Sequence, residues 1–99
     1  MKEEQLLKSG ERINQLFSTD IKIIQNREVF SYSVDSVLLS RFPRFPKNGL
    51  IVDFCAGNGA VGLFASSRTK AKILSVEIQE RLADMAERSV QLNGLEEQM

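Results

Sequence analysis

Apolar positions along the chain change period several times, and each change predicts an element. Leu6, Leu7, Ile13, Leu16 and Phe17 recur at roughly helical spacing, interrupted at Ser9-Gly10, and predict a short helix or two ahead of a Ser18-Thr19-Asp20 turn. Residues 21–24 (IKII) and 29–32 (VFSY) are β-branched and aromatic runs on either side of Gln25-Asn26-Arg27-Glu28, the pattern of a hairpin. Ser33 stands where a cap would begin a helix over residues 34–42, which Pro43 ends. Leu50-Ile51-Val52 shows no polar alternation, so it reads as a parallel strand buried on both faces. A glycine-rich turn at 55–59, a helix at 60–67, a second strand at 72–77 (KILSVE) and a helix at 79–92 follow. In that last helix Leu82, Ala86 and Val90 form one i, i+4 row with Met85 beside it, and Asn93-Gly94 supplies the stop. The order β-α-β-α from Leu50 predicts a right-handed crossover and a parallel pair, hence an α/β fold.

A near repeat, Arg41-Phe42-Pro43 and Arg44-Phe45-Pro46, runs into Lys47-Asn48-Gly49 and marks a loop. It divides an N-terminal extension of helix, hairpin and helix (1–47) from a core that begins at residue 48 and continues to 99. The extension carries 8 basic and 6 acidic side chains and the rest 5 and 7, so a zero net charge hides only a tilt and no polybasic arm.

Composition narrows the chemistry. The chain has 99 residues, enough for one small domain that buries roughly 60–65% of its unfolded surface, and too few for two. With one Cys and no His there is no internal disulfide, no Cys/His cluster for zinc and no imidazole base for a Ser-His or Cys-His scheme. The acids of MKEEQLLKSGER argue against a secretory signal, and nowhere do 18 apolar residues run together, so a reducing cytoplasm is the expected compartment, with no membrane partner.

One constellation carries chemistry. Asp53-Phe54-Cys55-Ala56-Gly57-Asn58-Gly59-Ala60-Val61-Gly62 lies where the first strand of the core turns into a helix, and Gly57, Gly59 and Gly62 spell GxGxxG. Such glycines let backbone approach a ligand closely at a helix start. Glu77 falls at the end of the next strand, where a carboxylate accepts both hydroxyls of a ribose. The bland alternative is a tight turn that only packs helix on strand. Asp53 selects among nucleosides. A pyrophosphate at this turn would sit beside its carboxylate at a cost on the order of a few kcal/mol, whereas a cationic ligand would be favoured. S-adenosylmethionine has no phosphate, an ammonium and a sulfonium. Asp53 as a simple acceptor for loop N–H groups is compatible with either.

Here the residues carry a family resemblance. DFCAGNGAVGL resembles motif I of class I S-adenosylmethionine-dependent methyltransferases, and VEIQ with Glu77 resembles their ribose-binding acidic motif. GERINQLF at 10–17, IKIIQ at 21–25 and FSYSVDSVLLSRF at 30–42 look like the lead-in of bacterial adenine-N6 methyltransferases acting on the valine tRNA. The resemblance covers about residues 8–96. It implies a Rossmann-like methyltransferase fold of which the first two parallel strands and their helices are present, behind a helix and β-hairpin extension. It implies S-adenosyl-L-methionine as cofactor and RNA as substrate, with no metal. Asp53, Ala56, Gly57 and Gly59 would line the methionine end, Glu77 would hold the ribose, and Ile78 would pack on the adenine. Asn58 would touch the cofactor or supply turn geometry. Asp35 would face the methionine group or serve as a first-turn carboxylate favoured by the helix dipole.

One departure limits this reading. Amino methyltransferases of this kind hold the target amine with an Asn/Asp-Pro-Pro-Tyr/Phe motif and stack the flipped base on its aromatic ring. The only prolines here are Pro43 and Pro46, so no catalytic residue is assigned, and a truncated chain with little activity alone is expected. Two alternatives stay open: an NAD(P)-binding oxidoreductase fragment, and a non-catalytic interaction module whose uncovered strand edges invite self-association. The remaining candidates are bland. Cys55 reads as a small turn residue, Phe30 and Tyr32 as core, Arg41, Arg44 and Lys47 as a solvated loop, and helix 79–92 as a surface helix with charge pairs.

Overall fold

The computed structural model describes residues 3–16, 19–26, 39–41, 44–54 and 56–99. Its elements are a 3-10 turn at Glu3–Leu6, strands β1 (Arg12–Gln15), β2 (Lys22–Gln25), β3 (Leu50–Phe54) and β4 (Lys72–Val76), and helices α1 (Ala60–Ser66) and α2 (Glu80–Leu92). β3 and β4 are parallel, Leu50 opposite Lys72 through Phe54 opposite Val76. The chain is thus a small α/β fold with a parallel pair, as the β-α-β-α order from Leu50 required.

The N-terminal segment departs from the helical reading. Residues 12–15 form β1, antiparallel to β2, with Ile13 directly opposite Ile24. Gly10 at φ +79 breaks any helix that starts at residue 3, and the following residues gain a cross-strand partner instead. Thr19 and Asp20 therefore follow a strand and not a helix, and Ser18 lies outside the described residues. Leu16 N–H reaches Ile21 O at 2.8 Å, and Thr19 N–H and Oγ1 both donate to Leu16 O, so Leu16–Ile21 closes a hairpin. β2 pairs upstream with β1, and the run at 29–32 expected to pair with it lies outside the described residues. Of the helix expected over 34–42, residues 39–41 are described and are helical.

Burial also differs from the reading of the apolar runs. β2 is the strand enclosed on both faces: Ile23 packs with Leu16, Ala60, Leu63 and Phe64, while Ile24 packs with Leu6, Leu82 and Met85. β3 is enclosed on one face only. Ile51 and Asp53 are half-buried, but Leu50, Val52 and Phe54 are 61%, 40% and 75% exposed, and Leu74 and Val76 of β4 continue that open face. On the opposite side α1 packs against β4, where Gly62 meets Ser75 and Ile73.

In α2 the buried stripe is Leu82, Met85, Arg88 and Ser89; of the apolar row and its neighbour, Leu82 and Met85 belong to it, while Ala86 and Val90 are partly exposed. Arg88 is the reason α2 is not an ordinary surface helix. Its guanidinium forms a two-bond pair with Glu11, donates to Leu6 O at 2.7 Å and to Asp84 at 3.1 Å, and is 8% exposed. Glu11 is held below the usual glutamate range by that arginine, and Arg88 is raised in return. The helix stops as Asn93-Gly94 specifies: Gly94 has φ +66, its N–H bonds to Gln91 O, and Leu95 N–H bonds to Val90 O, the paired bonds that close a glycine C-terminus.

Candidate functional site

The glycine turn joins β3 to α1 and leans on β4. Ala56 N–H donates to Val76 O at 2.9 Å, Gly59 N–H to Ala56 O at 3.0 Å, and Leu63 N–H to Gly59 O at 2.9 Å, so the chain doubles back and enters α1 within four residues. Gly57 and Gly59 take φ of +60 and +89, where a Cβ is strained. Gly62 has a different reason. A Cβ there would stand 2.9 Å from Met99 Cε, 3.2 Å from Ser75 Oγ and 3.3 Å from Ile73 Cγ2, so glycine lets α1 lie against β4.

Glu77 and the turn come together, 20 residues apart in sequence. Glu77 Oε1 accepts from Gly57 N–H and Oε2 from Gln79 N–H, each at 2.8 Å. These bonds hold its carboxyl below the ordinary glutamate value, so it is an anion at neutral pH. An ionised carboxylate has about four acceptor positions, so two backbone donors leave room for ligand hydroxyls.

Asp53 stands opposite Ser75 in the parallel register. Its Oδ2 and the Ser75 Oγ are buried without a hydrogen-bond partner among the described residues, and burial pushes the Asp53 carboxyl up. Asn58 is fully buried; its Nδ2 donates to Ile24 O at 3.3 Å and its Oδ1 has no partner. Ile78 is 96% exposed beside Glu77. Asp35 lies outside the described residues.

A cavity of about 430 Å³ opens between β4, α2 and the C-terminal residues. Ala56, Gly57 and Glu77 form one end of it, whereas Asp53, Asn58, Gly59 and Ile78 are not on its wall. Ala86 and Val90, two members of the i, i+4 row, are on its wall. Glu77, Glu87 and Glu96 are its charged lining groups, and no Lys or Arg is among them.

Ser75 and Ser89 are not among the residues the sequence marks, and Asn93 is marked only as part of the helix stop. Ser89 and Asn93 follow Met85 at i, i+4 steps along the buried side of α2, so the available signal was a polar residue repeating on an apolar stripe. Among the described residues no group of three or more Cys, Asp or Glu side chains is placed to hold a metal ion, and no helix is long and apolar enough to cross a membrane. The basic loop residues Arg44 and Lys47 are exposed; the loop is fixed by Thr69 Oγ1 donating to Pro46 O and by Arg68 stacked 5.1 Å over Phe45. Neither a scan against models of known protein families nor a search of curated proteins returns a match to this chain.

Proposed function

We propose that this chain is the S-adenosylmethionine-binding portion of a methyltransferase that acts on an adenine amino group in RNA, on the resemblance to tRNA-modifying enzymes. The observation that carries the cofactor half is the Gly57–Glu77 junction. A glycine turn with positive φ is held by an ionised carboxylate at the mouth of a cavity whose charged lining groups are all acidic. That electrostatic setting favours a nucleoside with a cationic tail and opposes a pyrophosphate. Asp53, off the cavity wall, has a buried acceptor oxygen that lacks a donor among the described residues, which suits an ammonium.

In this reading Glu77 receives the ribose hydroxyls, the turn from Ala56 to Gly59 approaches the methionine end, and exposed Ile78 gains a cover from the purine. When bound, the cofactor supplies an electrophilic methyl group. The chain's own residues orient it, and no Asn-Pro-Pro-Tyr stands in the sequence to hold an acceptor amine. Isolated, the chain transfers no methyl group to RNA; label transfer from methyl-labelled cofactor to bulk tRNA measures this.

The test is thermal protection by S-adenosylhomocysteine, the demethylated product. At about 100 Kd of ligand, one site adds about 2.7 kcal/mol to unfolding. Asp53→Ala and Glu77→Ala each reduce the shift, and an undiminished shift in both variants removes the site assignment. The open apolar face of β3 and β4 favours a second reading alongside, self-association, which sedimentation against concentration measures.

A further inference from the structure

The outer edge of β2 is closed by side chains, and one of them belongs to the glycine turn. Lys22 N–H donates to Asn93 Oδ1 at 2.8 Å and Lys22 O accepts from Asn93 Nδ2 at 2.6 Å, so one amide satisfies both main-chain groups. At Ile24 the work is divided. Its N–H donates to Ser89 Oγ at 2.9 Å, and its carbonyl accepts from Asn58 Nδ2 at 3.3 Å. Ile24, Ser89 and Asn58 are each 0% exposed, so water cannot take over either bond.

Asn58 is also the one side chain between two permissive backbones, Gly57 and Gly59, both at positive φ. Glycines on both sides leave such a peptide with many conformations to lose when a ligand orders it. Ile24, in contrast, is a fixed point: it is laddered to β1 opposite Ile13 and packed with Leu82 and Met85. We propose that Asn58 is a positioning residue, which pins the Gly57–Gly59 turn to β2 so that Gly57 N–H is presented to Glu77 before any ligand arrives. This makes the N-terminal hairpin part of the site's support, and it rests on the reading of the turn as the ligand site. The orphaned Asn58 Oδ1 fits the assignment: the amide is oriented by its donor, at the expense of its acceptor.

Two readouts on the full chain test the pin. Asn58→Asp keeps the size and, when ionised, has no donor; Asn58→Ser replaces it where Asn58→Asp does not fold. Without ligand, amide exchange at Gly57 and Gly59 rises about tenfold or more in the variant, while exchange within α2 stays unchanged. With S-adenosylhomocysteine, Kd rises about tenfold at a temperature where all variants are folded. Ser89→Ala is the control. It removes the other buried bond to Ile24 and lowers Tm, but leaves turn exchange and Kd at the wild-type values. Equal loss of affinity in Ser89→Ala and the Asn58 variants, or wild-type exchange at Gly57 and Gly59 in the latter, overturns the pin. If the wild-type chain does not bind the probe, the ligand reading falls and the exchange comparison alone decides the pin.

Discussion

β2 and β3 are both short strands with consecutive apolar residues, and they end in opposite environments. β2 puts Ile23 into one cluster and Ile24 into another, and its outer edge is finished by Asn93, Ser89 and Asn58. β3 half-buries Ile51 and Asp53 and leaves Leu50, Val52 and Phe54 open. The difference lies in the neighbours, not in the strands. A strand edge or face is buried when adjacent elements bring groups that satisfy or cover it. α2 covers Ile24 with Leu82 and Met85, and Ser89 and the capping Asn93 satisfy the edge of β2.

The largest way to break this contrast is at the latch that holds the N-terminal segment to α2. Arg88→Ala strands Glu11, whose side chain is 3% exposed, and costs about 3–5 kcal/mol in urea unfolding. Glu11→Gln is milder: it keeps the shape and one acceptor oxygen, and the guanidinium retains Asp84. Acid sharpens the same point. Glu11 is depressed below its ordinary 4.5 in the folded state, so its contribution is fully present above about pH 4.5 and is lost as pH falls through the lower folded value. Arg88→Ala flattens that part of the acid limb, and an unchanged slope would remove the latch from the account. Asp53 works in the other direction. Burial raises its carboxyl, so the folded state gains relative stability as pH falls through the raised value, and Asp53→Asn raises Tm at neutral pH while weakening binding of a cationic ligand.

Smaller effects separate the two strands directly. Ile24→Val, within the enclosed strand, costs about 0.5–1.5 kcal/mol. Phe54→Ser, at a 75% exposed position, stays within about 0.5 kcal/mol and lowers concentration-dependent association. If Phe54→Ser destabilises as much as Ile24→Val, the β3 face is covered and the contrast is wrong.

The parts of this arrangement legible in the sequence are those fixed locally. α1, α2, β3 and β4 follow from periodicity, and the Asn93-Gly94 stop follows from the left-handed conformation glycine accepts. The meeting of Gly57 with Glu77 follows from a strand–turn–helix–strand order that returns the second strand beside the first. What was not legible depends on distant partners. Ile13 and Leu16 have helical spacing, yet pairing with residues 21–25 makes their segment a hairpin. Arg88, Ser89 and Asn93 look like solvent-facing polar residues until β2 and Glu11, 65 or more positions away, arrive to bind them. Asn58 shows the same limit within the site: its side chain turns to Ile24, away from the cavity wall, because a buried carbonyl lies on that side.

On the proposed reading, the turn between β3 and α1 accepts a phosphate-free nucleoside that carries an ammonium on its tail. A competition titration of the intact chain with S-adenosylhomocysteine and NAD, followed calorimetrically at low salt, tests it most directly. Saturable one-site binding of S-adenosylhomocysteine, at least about tenfold tighter than NAD and lost in Asp53→Ala, is the predicted result. Tighter binding of NAD, or S-adenosylhomocysteine binding that survives both Asp53→Ala and Glu77→Ala, would contradict it.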